Sequence, residues 1–209
     1  MLVAARTGAW SGKALPYDAE VMYLESTGTQ YIDTEYTNPE VRTVECRCKF
    51  LYKKSELKGI FLTRSSNSCI IGYIQNYRDN VLSYCFTSSN SQIPEIKATY
   101  NNIHNAKIGN DGTYSYSEVD SIKKSYRKSG VFNVDSSIKL FSDDGNLFGT
   151  CKIYDWGMTI NGYVVRDMLP VRFTNENGVL EGAMYDRVSG QLFRNAGTGA
   201  FIIGPDKTI

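Results

Sequence analysis

The sequence predicts an all-β fold, an antiparallel sandwich or barrel, with residues 1–19 as an N-terminal arm and residues 20–209 as a single domain. Three observations carry this reading. Fifteen Tyr and nine Phe stand against five Met, and aromatic side chains suit a pleated, half-buried surface. One run alternates with period two for ten residues. Turn dipeptides recur at short intervals, with no convincing stretch of helical period.

The arm is punctuated by Gly8, Gly12 and Pro16, and only Trp10, Leu15 and Tyr17 offer anchors. From Glu20 the chain reads as short strands. Val21–Leu24 leads through Thr27-Gly28 into Gln30–Asp33. In the long alternating run, Val44, Cys46, Cys48, Phe50 and Tyr52 face one way, while Thr43, Glu45, Arg47 and Lys49 face the other. That is the signature of a strand with one buried face. Further strands are expected at 59–63, 68–75, 81–87, 93–99, 103–109, 113–119, 137–141, 151–160, 163–173, 182–185, 191–193 and 201–203. Asn110-Asp111-Gly112, Asn161-Gly162 and Asn177-Gly178 sit between such runs, and Asn-Gly and Asp-Gly tolerate the positive φ that tight hairpins demand. Asp143-Asp144-Gly145-Asn146 and Ser189-Gly190 add two more turns. Tyr116–Lys128 is the one helix-like segment, and its Ser, Tyr and Lys content reads equally as a polar loop.

Charge excludes some partners. Twenty-three Lys and Arg against 22 Asp and Glu give a net charge of +1, so no global field attracts nucleic acid or an anionic membrane. No run approaches the roughly 18 apolar residues of a membrane-spanning helix. All five Cys are expected as reduced core residues. Cys46 and Cys48 lie two apart on one strand, where they cannot bridge each other, and Cys69, Cys85 and Cys151 lie in apolar runs. Met1–Arg6 lacks the regions of a secretory signal. The expectation is synthesis in the cytoplasm, with any work outside the cell reached by another route.

Two stretches carry a resemblance. The first is Tyr23-Leu24-Glu25-Ser26-Thr27-Gly28-Thr29-Gln30-Tyr31-Ile32-Asp33-Thr34. The second runs from Ile138-Lys139-Leu140-Phe141 through Lys152-Ile153-Tyr154-Asp155 and Val165-Arg166-Asp167-Met168-Leu169-Pro170-Val171. It continues with Gly182-Ala183-Met184-Tyr185-Asp186-Arg187-Val188-Ser189-Gly190 and ends on Asn195-Ala196-Gly197-Thr198-Gly199-Ala200-Phe201. Together they resemble the laminin-G-like, concanavalin-A-like jelly-roll domains of gut bacteria and their phages. The middle, about 40–136, matches only in strand pattern. The resemblance implies a two-sheet antiparallel jelly roll whose first and last strands pair, with a carbohydrate-binding or virion-surface role. It also implies scaffold duties. Gly28 is expected in a turn, Arg166-Asp167 as an ion pair at a sheet rim, Asp186 in a turn closed through its own hydrogen bonds, and Asn195–Gly199 as a glycine-permitted turn.

Catalytic patterns fall short. Glucanases of this fold place acids at alternate positions of one strand to flank a glycosidic bond. Here Glu118-Val119-Asp120 lacks the third acid and reads as a solvated acidic patch. Gly8–Ala14 has the wrong spacing for a phosphate-binding loop and follows no strand. His104 is the only His, expected as a satisfied structural residue without a nucleophile beside it. Neither a catalytic residue nor a metal ligand is assigned and no cofactor is expected; Asp143–Asn146 offer some of the oxygens a calcium site needs, but turn chemistry alone accounts for those residues.

A binding face is expected in the middle region, at Tyr73, Tyr77, Arg78 and Tyr84, since aromatic faces beside an Arg suit sugar rings or a protein partner. The expected function is a non-enzymatic binding or assembly module of a virion, as a tail, decoration or adhesin protein, with self-association or other surface proteins as partners. The alternative is a lectin-like domain that recognises host or mucosal glycans. Either would act on a virion or outside the cell after lysis.

Overall fold

A computed structural model describes residues 14–53, 58–64, 70–75, 80–87, 93–128, 130–142 and 147–208. Among them, every regular element is a β-strand: β1 (Ala19–Glu20), β2 (Leu24–Glu25), β3 (Ile32–Asp33), β4 (Asn38–Val41), β5 (Val44–Tyr52), β6 (Lys58–Arg64), β7 (Ile70–Gln75), β8 (Asn80–Thr87), β9 (Ile93–Lys97), β10 (His104–Asn110), β11 (Tyr114–Val119), β12 (Ile122–Arg127), β13 (Phe132–Val134), β14 (Lys139–Leu140), β15 (Cys151–Ile160), β16 (Tyr163–Thr174), β17 (Leu180–Asp186), β18 (Gln191–Phe193) and β19 (Ile202–Ile203). Their pairings are antiparallel. An eleven-stranded sheet runs β12-β11-β10-β5-β15-β16-β17-β18, with β1 on β16 and with β2 joining β15 to β19. A six-stranded sheet runs β3-β14-β6-β7-β8-β9, and β4 pairs β13.

The architecture is that of a β-sandwich, with one apolar cluster drawing on both large sheets. Strand β5 shows the expected alternation along its whole length, with Val44, Cys46, Cys48, Phe50 and Tyr52 buried and the residues between them half-exposed. Trp156 on β15 meets Phe61 on β6 edge to face, with ring centroids 6.0 Å apart. Phe141, just after β14, meets Phe201 at 4.9 Å. Aromatic contacts of this kind hold facing layers in one relative position because each ring buries large area in a defined orientation.

Strand β16 is buried on both faces. Met168 joins the main core, whereas Leu169, Val171 and Phe173 join Ala183 and Tyr185 in a second cluster covered by Tyr17 and Leu192. Tyr17 stands edge-on to Tyr185 at 4.9 Å. Ala19, placed by the sequence in the arm, pairs with Arg172, so the arm boundary falls inside β1; residues 1–13 lie outside the described residues. The chain ends run together. β2 pairs β19, Val21 bridges Asp206, and Arg172 makes a two-pronged bond to Asp206 at 2.8 and 2.9 Å.

Tyr116–Lys128 is neither helix nor loop. It belongs to the hairpin β11–β12, in register from Tyr114 opposite Arg127 to Val119 opposite Ile122. Asp120 and Ser121 form the two-residue turn, with φ of 48° and 73°. The inward positions are Ser115, Ser117 and Val119, and two of these three are hydroxyl residues. That hides the alternation from a hydrophobicity pattern, and Asp-Ser is a weaker turn signal than Asn-Gly. The short pair β4–β13 has no counterpart among the strands expected from the sequence.

Candidate binding face

The four residues singled out in the sequence belong to the six-stranded sheet and its connections. Tyr73 lies on β7 opposite Ser83, and Tyr84 lies on β8 opposite Gly72. The backbone thus brings the two tyrosines one register step apart. Tyr77 and Arg78 lie outside the described residues.

A second polar face is assembled on the outer side of the larger sheet. The alternation that buries Cys46 and Cys48 turns Glu45, Arg47 and Lys49 outward. Strand pairing then supplies their neighbours in three rows. Asn105, Lys49 and Asp155 lie side by side across β10, β5 and β15. One step along, Lys123, Glu118, Lys107, Arg47, Gly157 and Asp167 cross six strands. A further step along, Tyr116, Gly109, Glu45 and Thr159 share a row.

Two glycines keep this face low. A Cβ on Gly157 would lie 2.8 Å from Arg47 Nε, because the guanidinium lies flat across that position. From there Arg47 bonds Asp155 at 3.1 Å and also Asp167, and Arg187 reaches the other oxygen of Asp167 at 2.7 Å. A Cβ on Gly109 would lie 2.6 Å from Tyr116 Oη. Tyr116 donates that hydroxyl to Glu45 at 2.7 Å, and Lys123 Nζ sits 4.2 Å from the centre of its ring.

An aromatic wall borders the first row. The β-bulge between Ile153 and Asp155 inserts Tyr154 into β15, a device that re-aims side chains locally. Tyr154 meets Tyr23 edge-on at 5.5 Å, and burial raises the pKa of its hydroxyl. Lys49 Nζ lies 5.7 Å from the Tyr154 ring centre, and Lys152 Nζ lies 3.9 Å from that of Tyr23.

Two hollows result. One of about 360 Å³ is lined by Arg47, Lys49, Lys107, Glu118, Asp120 and Asp155 among others. The other, of about 260 Å³, is lined by Thr43, Glu45, Asp111, Tyr116, Thr159 and Gly162 among others. In the first, Asp120 is held by structure: it meets His104 Nδ1 at 2.6 Å and accepts the Asn105 amide at 3.0 Å. The Nε2 of His104 meets the Thr99 carbonyl at 2.8 Å, so both nitrogens of this buried ring have partners. In the second, the Tyr114 and Thr113 amides bond Asp111 and hold its carboxyl below the usual range.

Gly28, Asp186 and Asn195–Gly199 take the structural roles expected of them, and Arg166-Asp167 does not. Arg166 and Asp167 do not pair with each other, because neighbours in a strand point to opposite faces. Arg166 turns inward, donates to the Thr34 carbonyl at 3.0 and 3.1 Å, and approaches the fully buried Asp186 at 3.8 Å. Asp167 turns outward to Arg47 and Arg187. Asp186 closes its turn by accepting from the Val188 and Ser189 amides, each at 3.2 Å. Gly28 adopts φ 109° in its turn. Asn195 orders the glycine turn by accepting from Gly197 and donating to Gly199, each at 2.9 Å. The thiols of Cys46, Cys48 and Cys151 are free and buried. Cys69 lies outside the described residues. Among the described residues no group of three or more His, Cys, Asp or Glu is arranged to hold a metal ion, and Asp143–Asn146 lie outside them. Among the described residues no helix is long and apolar enough to cross a membrane.

No family model matches the chain, and no curated protein matches it.

Proposed function

We propose that the chain is a non-enzymatic binding module of the laminin-G-like jelly-roll type, with a carbohydrate as its ligand on the outer face of the larger sheet. The observation that carries this reading is the 360 Å³ hollow beside β5, β10 and β15. It mixes cationic donors with carboxylate acceptors and lies beside the Tyr23–Tyr154 wall. Sugar hydroxyls both donate and accept, while the C–H faces of the ring suit an aromatic surface, so such a mixture fits them better than an apolar slot would.

Binding without turnover is favoured by what the acids already do. Hydrolysis of a glycosidic bond needs a carboxyl free to deliver a proton and a second one across the bond. Asp155 is held by Arg47, and Asp120 by His104 and the Asn105 amide. The likeness of the two end stretches to domains of gut bacteria and their phages supports a virion or other extracellular surface as the place of action, with host or mucosal glycans as targets.

The test is a glycan array followed by calorimetry. Binding to a defined set of glycans is expected, with loss in Lys49→Ala and Tyr154→Ala at unchanged melting temperature. An array without binders at high protein concentration, or binding indifferent to both substitutions, refutes the reading.

A second reading, assembly through self-association, has its own observation. Tyr163 is 76% exposed beside the Asn161-Gly162 turn, with Val164 next to it also exposed. A light-scattering mass above that of the monomer, reduced by Tyr163→Ser, is expected on this reading; a monomer at all concentrations removes it.

A further inference from the structure

We propose that the two outer hollows are consecutive subsites for one extended, uncharged glycan chain running along β5 and β10; this rests on the carbohydrate reading above. Their placement comes first. The first hollow includes Arg47 and Lys49, and the second includes Thr43 and Glu45. These are successive outward positions of the β5 segment, so the hollows adjoin in line with the strand. At about 3.4 Å per residue, the span from Thr43 to Lys49 is about 20 Å, the reach of an oligosaccharide rather than of a single sugar.

The floor between the hollows is also suited to a continuous chain. Arg47 and Tyr116 lie flat over Gly157 and Gly109 instead of standing up as a barrier. Each is tied in that posture, Arg47 by two aspartates and Tyr116 by Glu45. The ligand therefore meets groups already ordered, which lowers the entropic cost of binding.

Charge selects among polymers. The first hollow balances Arg47, Lys49 and Lys107 against Glu118, Asp120 and Asp155. The second contributes Glu45 and Asp111 against Lys123, which lies over the Tyr116 ring, and so carries an excess of negative charge. A chain carrying a carboxylate or sulfate on each repeat would gain nothing net in the first hollow and be repelled in the second. A chain bearing only hydroxyls meets donors and acceptors throughout.

The experiment is calorimetry of the whole chain with neutral hexasaccharides of glucose and mannose, with the matching disaccharides, and with hexasaccharides of hyaluronan and heparin. A neutral hexasaccharide is expected to bind about tenfold or more tighter than its disaccharide, with affinity nearly independent of salt because no ionic attraction is there to be screened. Lys49→Ala in the first hollow and Thr159→Trp in the second are each expected to weaken the hexasaccharide by about tenfold, and a melting curve checks that both variants fold. Preference for an anionic chain with salt-suppressed affinity overturns this inference and leaves the carbohydrate reading standing. So does a neutral hexasaccharide that binds no better than its disaccharide. Absence of any glycan binder overturns both.

Discussion

Raising the pH should unfold this protein earlier than its ordinary side chains would, because three thiols are sealed in the core. Cys46 and Cys151 are 0% exposed and Cys48 is 2% exposed. Burial, helped by Glu45 at Cys46, by Asp155 at Cys48 and by Glu25 at Cys151, pushes all three thiol pKa values upward. In the unfolded chain the same thiols ionise near pH 8.5. For an acid whose folded pKa is raised, stability is complete below the unfolded pKa and is lost as pH rises past it. Between about pH 7.5 and about pH 9.5 the three thiols together then favour the unfolded state by about 4 kcal/mol. Set against a typical total of about 5–15 kcal/mol, that is a large fraction. Urea unfolding under a reducing agent should show the midpoint falling by about 1.5–2 M across this interval at a typical slope. Cys151→Ala should remove about one third of the pH dependence even though it lowers stability by leaving a small cavity. A midpoint that stays level or rises with pH, or a variant with the full pH dependence, would refute the argument.

Three further substitutions test particular contacts. Ser121→Gly should stabilise the β11–β12 hairpin by about 0.5–1 kcal/mol, since Ser121 holds φ 73° where only glycine avoids the steric penalty; thermal unfolding decides this, and a lower melting temperature counts against the turn geometry. Arg166→Ala should destabilise by about 3–5 kcal/mol by leaving the buried carboxylate of Asp186 without its cation, which urea titration can measure; a change below about 1 kcal/mol would show that the residue is surface-like. Gly157→Val should lift Arg47 from the sheet and separate it from Asp155 and Asp167. The expected readout is loss of glycan binding with far-ultraviolet circular dichroism unchanged; undiminished binding would mean that the flat posture of Arg47 is irrelevant to the ligand.

Much of the fold is local enough to read along the chain. The period-two pattern through Thr43–Tyr52 predicted both the buried and the outward residues of β5, because alternation is a property of the backbone itself. Asn161-Gly162 marked the β15–β16 hairpin for a similarly local reason: φ is 50° at Asn161 and 85° at Gly162. Elsewhere the local signal is weak. Serines at the inward positions of β11 and an Asp-Ser turn made a hairpin resemble a helix or loop, and adjacency in sequence made Arg166 and Asp167 resemble a pair.

Composition, turn chemistry and period-two alternation specify that strands dominate, where most of them run, and that Glu45, Arg47 and Lys49 face away from the core. Tertiary structure alone decided what those three residues meet. Strand β5 acquires its neighbours from β10 and β15, segments far along the chain, and only that register places Lys107, Glu118, Asp155 and the two glycines on one face. Alternation is written in each residue's own geometry, whereas register emerges when distant strands find the pairing that buries their apolar faces together. For that reason the polar face on the outer side of the larger sheet shows in no single stretch of the sequence.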